Sequence, residues 1–78
     1  LGPDSLSDWP SRRHLGECPD GTLYLAETAG KFYLLVDNTA FFELLDTEDR
    51  LELGAPLQVH EFGSEAERRY FLKIRRWA

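Results

Sequence analysis

Apolar and polar positions alternate over much of this chain, and the alternation predicts strands. The turn Pro19-Asp20-Gly21, in which Pro fixes φ and Gly accepts positive φ, opens a strand over residues 22–27. Thr28-Ala29-Gly30-Lys31 is the next turn. Residues 32–36 form a second strand, with Phe32, Leu34 and Val36 on one face and Tyr33 and Leu35 on the other. Both faces are apolar, which predicts a central or covered strand. Residues 39–45 fit a short buried strand, and they also fit a helix with Asn38 as N-cap. The short aromatic run favours the strand. Residues 46–50 read as a solvated charged loop. Gly54-Ala55-Pro56 turns into a further strand, where Pro56 needs no ladder N–H, with Leu57 and Val59 inward and Gln58 and His60 outward. Residues 69–77 sort as a closing strand with Tyr70, Leu72 and Ile74 inward and Phe71, Lys73, Arg75 and Trp77 outward. A helix is the alternative there: Ser64-x-x-Glu67 is a capping box, and Ala66, Tyr70 and Ile74 recur at helical spacing. Residues 1–20 show neither period and read as an irregular arm, in which Trp9 either anchors against the domain or belongs to a partly ordered tail. The domain proper is then residues 21–78.

Composition narrows the class. Seventy-eight residues make one domain. The single cysteine, Cys18, excludes an internal disulfide and suggests a reducing, cytoplasmic setting. No apolar run is long enough to span a bilayer, so no membrane partner is expected. The chain begins with Leu and contains no methionine, which reads as a processed product or an excised domain, residues 1–4 being an expression remnant. The net charge of −5 counts against indiscriminate polyanion binding. The charge is uneven: residues 43–67 hold eight acids and one Arg, and residues 68–77 hold five basic residues and no acid.

Five strands at this spacing predict an all-β fold, a small barrel whose closure removes exposed edges. Gly30-Lys31-Phe32-Tyr33 resembles the Gly-x-Phe-Val element of S1-type OB-fold domains. The segment from Leu53 through Gly54, Ala55 and Pro56 to Val59 is similar to that family's Gly-Asp-x-Val-x-Val segment. Ser64 through Leu72 resembles its closing acidic turn and Arg-Arg-Ile-x-Leu-Ser strand. The middle of the chain is similar to the S1-like modules of the conserved virulence factor B family. Two positions depart from the pattern: Phe41-Phe42-Glu43 stands where a His is frequent, and Ala55 replaces an Asp. An SH3-like or Tudor-type barrel fits the same strand order. The resemblance implies a five-stranded OB-like barrel and a non-catalytic module, within a larger protein, that binds single-stranded RNA or DNA.

The residues that would carry this binding are Phe32, Tyr33, Phe71 and Trp77 as stacking rings and Lys31, Arg69, Lys73 and Arg75 as phosphate contacts. Stacking contributes roughly 1–3 kcal/mol per base. The alternative assigns these aromatics to the core and the module to a protein partner, met through the acidic half or the basic C-terminal segment. As a helix, that segment would be basic and amphipathic, suited to meeting a partner. His14-x-x-x-Cys18 offers two ligands without a second pair, so no metal or other cofactor is expected. No nucleophile turn or phosphate loop is present, so no catalytic residue is expected.

Overall fold

A computed structural model describes residues 5–77. The expected expression remnant, residues 1–4, lies outside them. Four strands form one antiparallel meander in the order β1-β2-β3-β4: β1 Arg13–Cys18, β2 Gly21–Thr28, β3 Lys31–Asp37 and β4 Leu57–Phe62. Two tight turns set the register. Cys18 pairs with Gly21 across Pro19-Asp20, and Thr28 pairs with Lys31 across Ala29-Gly30. Ala29 and Gly30 both have positive φ, the backbone that a two-residue hairpin turn demands. Gly21 has φ +141°, and a Cβ there would lie 2.3 Å from the Asp37 carbonyl oxygen, so glycine is required twice over.

The sheet is open, and the expected five-stranded closed barrel is corrected accordingly. The reason lies in the fifth segment: residues 69–75 belong to a helix, α3 Glu65–Arg75, and residues 76–77 to the turn that ends it, so the segment cannot close the sheet. The Ser64 side chain accepts from the Glu67 N–H at 3.2 Å, and the Glu67 carboxylate accepts from the Gly63 N–H at 3.1 Å. Glu65 and Glu67 occupy the first turn, Lys73 and Arg75 the last, each complementing the helix dipole. The C-terminus is tied by Trp77 N–H to the Leu72 carbonyl and Arg76 N–H to the Lys73 carbonyl, both at 3.1 Å, with Arg76 left-handed. Trp77 thereby folds back onto the Leu72 side of the helix.

Three further expectations are revised. Residues 39–45 hold a short helix, α1 Thr39–Phe42, whose first N–H is met by the Asp37 carboxylate at 3.1 Å, while the Asn38 side chain makes no cap. The expected charged loop contains α2, Thr47–Leu53, capped by Asp46 accepting from the Asp49 N–H at 2.9 Å. The irregular arm contains a 3-10 turn, Leu6–Asp8, followed by β1, whose register shifts between His14 and Gly16. That bulge breaks the alternation by which a strand is recognised.

Alternation gives the sheet two faces, each with its own core. On one, Leu23, Leu34 and Val36 pack under Leu72 of α3. On the other, Ala26, Leu35 and Leu57 pack under Trp9, flanked by Tyr24 and Tyr33. The expected Trp9 anchor is therefore a core residue. β3 is paired on both sides and serves both cores, as its two-faced apolar run predicts. Leu57 is buried as expected, but Val59 is exposed, and His60 is half-buried on the α3 side.

Candidate functional site

The eight residues expected to bind nucleic acid do not assemble into one platform. Lys31, at the β2–β3 turn, lies 3.2 Å from the Glu61 carboxylate. Phe32 and Tyr33 are neighbours on a strand and point to opposite faces. Phe32 lies under Arg68, 5.5 Å from guanidinium carbon to ring centroid. Tyr33 packs on Trp9 at 4.9 Å and donates its hydroxyl to Glu61. Phe71, Arg75 and Trp77 do come together. Arg75 stacks on Phe71 at 3.6 Å and lies 5.6 Å from Trp77. Phe71 is half-buried against Phe62, His60 and Trp77, so its ring is occupied by protein. Arg69 pairs with Glu65 at 2.9 Å, and Lys73 is exposed.

Arg68 holds α3 in place. It is 3% exposed, and its Nη1 donates to the Ala26 carbonyl at 3.2 Å, the Tyr33 carbonyl at 3.1 Å and Glu27 Oε2 at 2.7 Å. A buried guanidinium is tolerated because its charge is paired with Glu27 and its Nη1 donors are met. Glu27 also receives both Arg13 Nη atoms, at 2.6 and 2.8 Å. The bonds from Arg13, then those from Arg68, lower the Glu27 carboxyl to about 2. The same bond from Glu27 raises Arg13. His60 is pushed down, first by burial and then by the positive charge of Arg75. Its Nε2 is buried without a hydrogen-bond partner among the described residues.

With the inner face of α3 on the sheet, its outer face is left open. Phe62, Ala66, Glu67, Tyr70, Phe71 and Ile74 line a shallow groove of about 450 Å³, almost wholly apolar. Tyr70 is 64% exposed and Ile74 55%. Beside them Arg69 and Lys73, both exposed, stand at i and i+4 and so share one stripe of the helix, and Arg76, also exposed, follows as its left-handed C-cap. Ala66, Tyr70 and Ile74 are the helical triplet visible in the sequence, and the groove is built on it. A second exposed apolar set carries no comparable sequence signal. Phe41 on α1, Leu44 between the helices and Leu51 on α2 all lie between β3 and β4, Leu44 at 82% and Leu51 at 78% exposure.

Among the described residues, no three His, Cys, Asp or Glu side chains converge to hold a metal ion. No helix among the described residues is long and apolar enough to cross a membrane. Compared with family models, curated proteins and solved structures, the chain matches none.

Proposed function

We propose that the chain is a protein-interaction module whose partner docks on the outer face of α3. The observation that carries this reading is the apolar groove around Tyr70 and Ile74, bordered by the cations Arg69 and Lys73. An exposed Tyr on a helix is the kind of anchor that dominates protein interfaces. The net charge of −5 and the packing of Phe71 against Phe62 and His60 weigh the same way. The test is a pull-down from nuclease-treated extract. A partner retained by the wild-type chain is expected to be lost with Tyr70→Ala or Ile74→Glu, while the fold, read by circular dichroism, is unchanged. A partner indifferent to both variants sinks the reading.

One observation favours a second reading, binding of single-stranded RNA or DNA. Arg69, Lys73 and, at the end of the helix, Arg76 are open to solvent, as is the Tyr70 side chain. This second reading predicts affinity for an oligonucleotide that falls steeply with salt and with Lys73→Glu.

A further inference from the structure

The connection between β3 and β4 presents a surface that mirrors α3. Leu51 projects from α2 largely into solvent, and Leu44 stands exposed just before the helix. On α2, Glu48 and Glu52 lie three residues before and one after Leu51, and Asp46 and Asp49 lie at the helix start. The one basic residue of the helix, Arg50, is turned back: its Nε donates to the Phe42 carbonyl at 2.7 Å and its Nη2 to the Glu43 carbonyl at 3.3 Å. The exposed charge around Leu51 is therefore acidic. The stripe beside Tyr70 and Ile74 is basic, and Lys73 makes no ion pair among the described residues.

The two surfaces do not cover each other within one chain. The ends of the excursion are clamped, Asn38 N–H to the Pro56 carbonyl at 2.8 Å, and Phe42 is buried. Arg50 fixes α2 to α1, and α2 lays no broad face on α3. Tyr70, Ile74, Leu44 and Leu51 all stay exposed.

Resting on the module reading of α3, we infer that the occupant of its groove is the acidic, apolar α1–α2 connection of a second copy of this chain. Leu51 and Leu44 enter beside Tyr70 and Ile74, and Glu48 and Glu52 meet Arg69 and Lys73. Each copy offers one surface of each kind, so the contact closes reciprocally in a two-fold dimer or propagates head-to-tail into a ring or an open chain of copies.

Sedimentation velocity of the full chain over a concentration series, at low and high salt, reads this directly. The expected result is a sedimentation coefficient that rises with concentration and falls back toward the monomer as salt screens the charges. The chain carrying Arg69→Glu with Lys73→Glu is expected to be monomeric, as is the chain carrying Glu48→Lys with Glu52→Lys. Mixed, the two are expected to associate again, because acid and base have exchanged sides. Leu51→Asp is expected to abolish association in every background, with circular dichroism unchanged. A wild-type chain that stays monomeric throughout overturns the inference. So does association indifferent to the reversals, or a mixture that fails to recover. If the chain is monomeric while Tyr70→Ala still releases a nuclease-resistant partner, α3 is a docking face for another protein, and only the second-copy assignment falls.

Discussion

Single residues carry the pH dependence of this domain. Glu27, held at about 2 against an ordinary 4.5 by Arg13 and Arg68, stabilises the fold fully above the unfolded value. That contribution is lost as pH falls from about 4.5 through about 2. His60 acts in a different window. Its folded value lies below the ordinary 6.5, so the fold favours neutral imidazole. Stability is full above 6.5 and falls as acid protonates the unfolded chain first. Urea midpoints across pH 8 to 2 are expected to show both declines. Glu27→Gln should remove the lower one and His60→Leu the upper one. Gly21 is the most demanding backbone position: Gly21→Ala brings a methyl against the Asp37 carbonyl at positive φ, at a cost of about 2–3 kcal/mol in the same measurement.

At the level of elements, α3 is set by its ends. Ser64→Ala removes the side-chain acceptor for the Glu67 N–H and is expected to cost about 1 kcal/mol. Arg76→Gly relieves a left-handed residue and is expected to gain up to about 1 kcal/mol. Thermal unfolding of the two variants should move in opposite directions. This helix also marks what the sequence makes legible. β2 and β3 stand out because their alternation is unbroken and their turns carry the required glycines. Residues 68–77 satisfy two periods at once: outward Phe71, Lys73, Arg75 and Trp77 as a strand, or inward Arg68 and Leu72 as a helix. Only contacts distant in sequence decide between them, above all Arg68 reaching the Ala26 and Tyr33 carbonyls. β1 was hidden by its bulge. α2 was hidden by its charge, since it packs no broad apolar face and leans on its Asp46 cap. The groove triplet Ala66, Tyr70, Ile74 was visible as a spacing, but its exposure follows from which side Arg68 and Leu72 bury.

At the level of the whole molecule, an open four-stranded sheet is covered on one face by α3 and on the other by the segment bearing Trp9. β1 and β4 are both edges, and bare edges invite pairing with other chains. β1 carries a bulge, while β4 shows exposed Gln58, Val59 and Glu61, the acid being a guard against such pairing. Val59→Lys is expected to leave stability within about 0.5 kcal/mol and to lower any tendency to aggregate, as read by light scattering. The two-faced sheet also has an optical consequence. The molecule's two tryptophans fall one to each core: Trp9 above Leu35 and Ala26, Trp77 beside Phe71 and Leu72. Each is therefore a built-in fluorophore for its own layer. With Trp77→Phe the emission reports only the N-terminal layer, and with Trp9→Phe only the helical one. Because β3 is common to both, coincident melting curves would mean that the layers come apart as one. A Trp9 signal that shifts first would mean that the N-terminal segment lifts off while α3 stays docked.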